Sequence, residues 1–282
     1  MTTTPSLPQA ARDIRREIIN CIASFGGGHV GGCLSLAELL AVLYFDEESG
    51  MRRLDPANPQ NADRDRLVMS KGHAGPALYS ALALRGFITV ESLRTLNQSG
   101  GMRPGHCDMK RVPGVDMSTG SLGQGLSVAV GMALAADMDG TETVVHAVIG
   151  DGESQEGQIW EAALFAANRG LGNLIAFTDY NKVQLDGWVA DINDIAPLSD
   201  KWRAFGWHTQ EIDGHCTAAI SQAIAEARRV TDRPSMIILD TVKGKGAVDY
   251  EGKDTSHHGT VSEEQRVAMI EHVMKTFEAE VK

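Results

Sequence analysis

The sequence lacks the features typical of secreted, membrane-spanning and nucleic-acid-binding proteins. Its four cysteines are scattered and form no CxxC pair, which argues against a disulfide framework or a zinc site and fits a reducing compartment. No apolar run approaches the ~20 residues that a membrane helix needs, and the first residues form no hydrophobic signal core. A formal net charge of −11 disfavours nucleic acid and anionic membranes as partners. We therefore expect a cytoplasmic protein.

What is present is the composition of an ordinary globular protein, with 43% apolar and 22% charged residues. No repeat, low-complexity tract or linker interrupts it, so we predict one domain over residues 1–282. Three nearly continuous apolar runs are typical of strands buried on both faces of a parallel sheet: Val144–Ile149, Leu174–Thr178 and Met236–Val242. Helical patterns at 158–168 and 218–230 lie between them. This alternation predicts an α/β fold with a doubly wound, mainly parallel sheet and helices on both faces.

Three helix starts are predicted by the capping-box spacing, a serine followed three residues later by glutamine or glutamate. The pairs are Ser6 with Gln9, Ser35 with Glu38, and Ser262 with Gln265. Helical spacing predicts the buried faces as Ile14, Ile18, Cys21, Ile22 and Phe25 in the first helix, Leu36, Leu39, Leu40 and Leu43 in the second, and Val267, Ile270, Val273, Met274 and Phe277 in the last. The polar, proline-bearing segment 50–65 predicts a surface loop.

Polar side chains follow two of the predicted strands. Asp151 stands in the sequence Gly-Asp-Gly-Glu directly after the first run, and Asn181 follows the second. Because ligands of open α/β sheets bind outside the carboxyl ends of the strands, we expect these oxygens to share one site. A Gly-Asp-Gly turn by itself is more often only a turn, but the second strand-end oxygen favours a Mg²⁺ site at which the glycines let a diphosphate approach.

Four histidines stand beside glycines: His29, His73, His106 and His258. A single histidine in such a place is more often an ordinary surface residue. Four at loop-like positions indicate imidazoles placed in a cleft, where they can bind hydroxyl groups and move protons near neutral pH. The segment 118–125 precedes a helix of small residues but has only part of a dinucleotide glycine pattern and no strand before it, so a Rossmann NAD site is poorly supported.

In chain order, the motifs GHVG, SKGHAGPALY, PGH, TGSLGQG, GDGESQEG, DYNK and HHG resemble those of transketolases. TGSLGQG together with EGQIWEA resembles the N-terminal subunit of split, two-chain transketolases in particular. The resemblance implies the diphosphate-binding domain of the thiamine-diphosphate-binding fold. It also implies transfer of a two-carbon ketol unit from a ketose phosphate to an aldose or aldose phosphate, as in the pentose phosphate pathway.

The resemblance also implies site residues. It implies a Mg²⁺ (or Ca²⁺) site formed by Asp151, Asn181 and the carbonyl of Val183. The implied contacts to thiamine diphosphate are His73, Gly120, Leu122, Gly152, Asn181, Lys243 and His258. The implied catalytic residues are His29, His106, His258 and Glu156, of which Glu156 is expected at a subunit interface. Many members have proline after the first histidine, whereas this chain has Val30, which leaves the backbone after His29 freer.

A second chain is implied as well. In this family the glutamate that faces the cofactor's aminopyrimidine, and the arginines that bind the donor phosphate, belong to a pyrimidine-binding domain that this sequence does not contain. We therefore expect a C-terminal partner subunit, a heterotetramer with two copies of each chain (α₂β₂), and active sites between subunits. An unusual donor, apulose phosphate or a sulfo-sugar, is equally compatible. Deoxyxylulose-phosphate synthase, a 2-oxo-acid dehydrogenase α chain and a degenerate regulatory subunit remain as alternatives.

Overall fold

The computed structural model describes residues 5–185 and 187–278. The helices are α1 (Leu7–Ala23), α2 (Val30–Leu34), α3 (Ala37–Phe45), α4 (Gly75–Leu84), α5 (Gln124–Met138), α6 (Gly157–Asn168), α7 (Val189–Asn193), α8 (Leu198–Ala204), α9 (Thr217–Ala227) and α10 (Glu263–Thr276). The strands are β1 (Gly27–Gly28), β2 (Arg66–Met69), β3 (Val145–Gly150), β4 (Leu174–Tyr180), β5 (Val183–Gln184), β6 (Gly187–Trp188), β7 (His208–Asp213), β8 (Ser235–Asp240) and β9 (Gly259–Thr260). Short 3₁₀ turns cover Gly72–Ala74, Glu91–Thr95 and Gly152–Gln155.

The centre of the fold is a five-stranded sheet in the order β2-β3-β4-β8-β7, and all of its strands are parallel. Gly150 of β3 lies beside Asp179 of β4, and Asp179 lies beside Leu239 of β8, so three strands end at one edge. The remaining strands form two short antiparallel pairs, β1 with β9 and β5 with β6. The predicted parallel sheet is confirmed.

Helices cover both faces of this sheet. Side chains of α1, α3, α4, α9 and α10 pack with Val148 and Phe177 on one face. Those of α5, α6 and α8 pack with Ile149 and Ala176 on the other. Successive strand residues point to opposite faces, so a strand covered on both sides must be apolar at nearly every position. This requirement explains the continuous apolar runs and confirms the doubly wound arrangement.

The three predicted strands are found as β3, β4 and β8, with ends shifted by one or two residues. Two further strands were not predicted: β2, which has only four residues, and β7, which lies at the end of the strand order. The β7 sequence HTQEID is polar and only partly buried, because within the described sheet it pairs with β8 alone. Strands of this kind carry little hydrophobic signal.

The helix predictions are partly confirmed. Capping boxes are present at Ser6 and Ser262, each with its glutamine three residues on. The box predicted at Ser35 is wrong, because α3 begins at Ala37 and the Ser35 hydroxyl donates to Asp179 at 2.7 Å. Phe25 was also wrongly placed in a buried face, since it lies beyond the end of α1 and is 53% exposed.

On the last helix, Val273 and Phe277 are buried as predicted, whereas Val267 is exposed and Met269 takes a buried place instead. Segment 50–65 contains no helix or strand, as predicted for a loop. Across the residues described, every helix is too short or too polar to span a lipid bilayer.

Candidate functional site

A cavity of about 380 Å³ opens at the carboxyl edge of the sheet. Its volume falls in the range of small-molecule sites, roughly 300–1,000 Å³. The sequence-predicted residues that line it are His29, His73, His106, Gly120, Leu122, Asp151, Gly152, Glu156, Asn181, Val183 and Lys243. The fold thus brings together residues from widely separated parts of the chain. His258 is not among the lining residues, and its neighbour His257 is.

Asp151 and Asn181 lie side by side at the ends of β3 and β4, and both are buried. The Asp151 carboxylate accepts hydrogen bonds from the backbone N–H groups of Gly152 and Lys182, at 2.7 and 2.5 Å. Burial, and then the negative charge of Asp179, raise the pKa of Asp151 to about 6. A buried carboxylate with only backbone donors is one that a bound cation would stabilise in its charged form.

Asp179 organises the floor of the cavity. Its buried carboxylate pairs with the Lys71 ammonium at 2.5 Å and accepts hydrogen bonds from Thr241, Ser35 and the Asn181 amide nitrogen. Burial acts to raise the pKa of Asp179, but Lys71 and the hydroxyl donors outweigh it and the pKa is lowered. Because the Asn181 amide nitrogen is held by Asp179, its amide oxygen is the atom left for a cation.

Lys243 brings a second ammonium group to the cavity. It is only 3% exposed, and its Nζ donates to the Val183 carbonyl at 2.6 Å and lies 3.2 Å from His257 Nδ1. Burial, and then the charge of Lys71, lower the pKa of Lys243 to about 8. In this structure the Val183 carbonyl, a predicted metal ligand, is thus engaged by Lys243. A buried cation in the cavity suits an anionic group such as a diphosphate.

Glu153 fastens three loops around the cavity. Its buried carboxylate accepts hydrogen bonds from Ser70 and from the backbone N–H groups of Gly123 and Gly150. Burial raises the pKa of Glu153. At Gly123 the φ angle is +86° and an added Cβ would lie 2.9 Å from the Cβ of Glu156, so only glycine fits there without strain.

At Gly152 the backbone lies against the β5 segment. An added Cβ would lie 2.8 Å from the Cβ of Gln184, so a side chain at this position would have to displace the cavity wall. The glycine therefore leaves the first N–H groups after Asp151 accessible from the cavity. Exposed N–H groups at such a turn are suited to phosphate oxygens.

The histidines form one cluster around His29. The centre of its ring lies 5.1–5.4 Å from the ring centres of His73, His106, His257 and His258. Burial, and then the neighbouring His106, His258 and Lys243, lower the pKa of His29 to about 4. Burial and Lys243 lower that of His257 to about 3. The imidazoles of His29 and His257 are therefore neutral at pH 7, and each can both donate and accept a hydrogen bond.

Two predicted residues lie at the rim of the cavity. His258 is half-exposed and contacts the ring of His29 from outside, whereas the unpredicted His257 lines the cavity. Glu156 is exposed at the beginning of α6. The roles assigned to both residues stay predictions.

Three contributors were missed by sequence reasoning, although each stands inside or beside a motif: Lys71, Glu153 and Asp179. Their signal was a charged residue next to glycine or to a strand end, but such residues are usually solvated. Among the residues described, no three His, Cys, Asp or Glu side chains are arranged to hold a metal ion. A cation here would depend on Asp151, Asn181 and oxygens from backbone or ligand, a donor set that fits Mg²⁺ or Ca²⁺.

Comparison with known proteins agrees with this geometry. Residues 8–278 match the family model described as transketolase, thiamine diphosphate binding domain. The 6-deoxy-6-sulfo-D-fructose transketolase subunit SqwG of Clostridium sp. (strain MSTE9) is 55% identical over 95% of this chain and 96% of its own length. One of the two apulose-4-phosphate transketolase subunits of known sequence type, that of Phocaeicola vulgatus, is 38% identical over 94% and 92%.

The solved structures point the same way. The crystal structure of transketolase from Campylobacter jejuni superposes with a TM-score of 0.87 at 31% identity, covering 96% of this chain but 42% of that one. This chain thus spans less than half of that transketolase and nearly all of the two relatives named as subunits. The resemblance inferred from the motifs is confirmed. The chain belongs to the transketolase family and matches its thiamine-diphosphate-binding domain.

Proposed function

We propose that this chain is the diphosphate-binding subunit of a two-chain transketolase. In this proposal the whole chain is one domain, and it transfers a two-carbon ketol unit only together with a pyrimidine-binding partner. The observation that carries the proposal is the placement of Asp151, Asn181 and Lys243 at the strand ends, in one cavity with the histidine cluster. This arrangement offers oxygen ligands for a cation, a buried ammonium for a diphosphate, and neutral imidazoles for a polyhydroxylated substrate.

The side chains of Asp151 and Asn181 would hold Mg²⁺ (or Ca²⁺), and Lys243 with the backbone at Gly152 would hold the diphosphate. His73 and the backbone at Gly120 and Leu122 would contact the rest of the cofactor. When bound, thiamine diphosphate supplies a nucleophilic carbanion at the thiazolium C2 and takes up the electron pair released by carbon–carbon cleavage.

The neutral histidines manage protons. Cleavage between C2 and C3 of a ketose requires that the C3 hydroxyl lose its proton as the aldehyde forms. An imidazole nitrogen of His29 or His106 can accept that proton and return it to the acceptor's aldehyde oxygen. Because His29 is neutral down to a pH of about 4, it stays available as a base at physiological pH.

For the substrate we propose a specialised sugar rather than a pentose phosphate. Both relatives of matching length carry such substrates in their names, and the one at 55% identity is named for 6-deoxy-6-sulfo-D-fructose. Cleavage of that ketose between C2 and C3 leaves a four-carbon aldose that retains the sulfonate. Apulose 4-phosphate is the second choice, supported by 38% identity.

The relatives' names also support a partner chain, since both are called subunits. We propose an assembly with two copies of each chain, located in the cytoplasm. The free thiols fit a reducing compartment, because Cys21, Cys33 and Cys107 are all buried and form no disulfide.

The test is a ketol-transfer assay with thiamine diphosphate and Mg²⁺, performed on this chain, on the product of its neighbouring gene, and on their mixture. Donors are 6-deoxy-6-sulfo-D-fructose, apulose 4-phosphate and xylulose 5-phosphate, each with ribose 5-phosphate as acceptor. We expect turnover only in the mixture and fastest with the sulfo-sugar. Turnover by this chain alone would contradict the two-chain proposal, and a preference for xylulose 5-phosphate would contradict the substrate proposal.

A further inference from the structure

A buried chain of three charged or polar side chains lies behind the loop that carries Lys243. Arg15 of α1 pairs with Glu38 of α3 at 2.5 Å, and Glu38 contacts Nδ1 of His215, just after β7, at 3.1 Å. Arg15 is fully buried and Glu38 is 3% exposed. The residues that line the cavity include none of the three, so any influence they have on a ligand there is indirect.

The proton positions in this chain follow from the hydrogen bonds. The backbone N–H of Val242 donates to Nε2 of His215 at 2.9 Å, so Nε2 carries no proton. Burial acts to raise the pKa of Glu38, but Arg15 and His215 outweigh it and the pKa is lowered, so Glu38 is ionised. The proton of the imidazole is therefore on Nδ1, where it is donated to Glu38.

The two ends of the chain hold the loop on both sides of Lys243. His215 holds the N–H of Val242, and Nε of Arg15 donates to the carbonyl of Lys245 at 3.2 Å. Between these points, the N–H of Gly244 donates to the carbonyl of Gly31 at 3.0 Å. Gly244 has a φ angle of +78°, so this segment continues neither a helix nor a strand. Its position therefore depends on such individual contacts.

Lys243 needs this support for an electrostatic reason. A buried ammonium loses hydration, and a flexible lysine will withdraw toward water unless its backbone and its acceptors are fixed. The nearby cation Lys71 repels it further, as the lowered pKa of Lys243 shows. We propose that Arg15, Glu38 and His215 are positioning residues that hold Lys243 in the cavity to bind the cofactor's diphosphate. This inference rests on the proposed cofactor-binding function.

The test compares variants of the full chain. His215→Leu removes both hydrogen bonds of the imidazole, whereas His215→Gln keeps an acceptor for Val242 and a donor for Glu38. Arg15→Lys keeps the ion pair with Glu38 but cannot also reach Lys245 in the same fork geometry. The matched control is Asp65→Asn. Asp65 is equally buried and accepts from Arg228 at 2.9 Å, but it lies at the opposite edge of the sheet.

Two readouts are used. Hydrogen exchange followed by mass spectrometry, on the chain alone, reports the protection of residues 242–246. The affinity for thiamine diphosphate and for inorganic pyrophosphate, each with Mg²⁺, is measured by calorimetry on the complex with the partner chain. We expect His215→Leu to speed exchange locally in 242–246 and to weaken both affinities about 10–100-fold, the usual effect of losing a supporting partner. Arg15→Lys should show a smaller loss, and His215→Gln should restore both readouts.

The control separates positioning from general destabilisation. Asp65→Asn should lower stability and change exchange near β2 while leaving both affinities at the wild-type value. Wild-type affinity in His215→Leu, or an equal loss in Asp65→Asn, would overturn the inference. If the wild-type complex binds neither ligand, the proposed function is wrong. The exchange data still decide whether the three residues hold the loop.

Discussion

Single residues set the electrostatics of the cavity. Two carboxylates are buried there, but their surroundings differ. Asp179 is compensated by the Lys71 ammonium and by two hydroxyls and one amide, whereas Asp151 accepts hydrogen bonds from backbone N–H groups. The less compensated carboxylate is the one at which a divalent cation gains most. This difference distinguishes a proposed metal ligand, Asp151, from a residue that orients one, Asp179.

Asp151→Ala should abolish metal-dependent binding of thiamine diphosphate, with a loss of affinity above about 100-fold, because it removes the charged oxygen ligand. The cofactor-free chain should unfold at no lower temperature, since among the described residues no cation forms an ion pair with this carboxylate. Calorimetric titration and thermal melting check the two parts. Asp240→Ala is the control, because Asp240 ends the neighbouring strand β8 and is not one of the cavity's lining residues. Unchanged affinity in Asp151→Ala would contradict the metal assignment.

His106→Ala should raise the donor KM or lower kcat and leave cofactor affinity near that of wild type. The partly buried imidazole contacts His29 rather than the strand-end oxygens, and burial lowers its pKa, so the ring is suited to substrate hydroxyls. Steady-state kinetics with varied donor, together with a cofactor titration, make the distinction. Collapse of cofactor binding would show that His106 is part of the cofactor site instead.

At the scale of elements, one polar residue is enclosed within the sheet. His146 of β3 is fully buried, stacks on Phe177 of β4 and has one nitrogen 3.3 Å from the carbonyl of Arg66. Within the described part of the chain, its other nitrogen has no hydrogen-bond partner. Burial lowers the pKa of His146 from 6.5 to about 4, so the folded strand holds the neutral ring. Acid should therefore act on the fold through this strand.

The sign follows from proton uptake. Below pH 6.5 the unfolded chain binds a proton at this histidine, whereas the folded chain does so only near pH 4, so stability rises with pH across this window. Acidification from pH 7 to 5 should cost about 2 kcal/mol through His146. His146→Leu should lose that part of the pH dependence in urea unfolding. Phe177→Leu should be less stable than wild type but keep the same slope. An unchanged slope in His146→Leu would refute the assignment.

The whole molecule presents an open cavity with apolar side chains near its mouth. Leu122, Leu185 and Trp188 are 38%, 65% and 40% exposed, and the first two line the cavity. Exposed apolar groups beside a binding site are typical of surfaces that another chain covers. This surface supports the proposed partner chain, which would lie over the cofactor.

Mass photometry of the mixed subunits should therefore show one species with the mass of two copies of each chain. Thiamine diphosphate and Mg²⁺ should stabilise that species, because a ligand held between chains favours their association. Each chain measured separately should not reach this mass. A stable one-to-one complex that is already active would contradict the proposed heterotetramer.

The sequence by itself determined the family, the α/β class and the position of the site. These properties depend on short-range patterns: apolar runs that become buried strands, capping boxes at Ser6 and Ser262, and an Asp and an Asn directly after two strands. Such patterns work locally, because the period of the backbone and the ends of parallel strands dictate where side chains go. The domain count and the individual residue roles stay predictions.

Only the tertiary structure decided which charges meet. Lys71 and Asp179 are 108 positions apart, and Glu38 and His215 are 177 apart, yet each pair is in contact. Ser35 and Glu38 have the spacing of a capping box, but packing commits them to these distant partners. It also places His257 rather than His258 in the wall of the cavity. The energy of a buried charge depends on every group around it, and for these side chains the fold supplies those groups from distant parts of the chain.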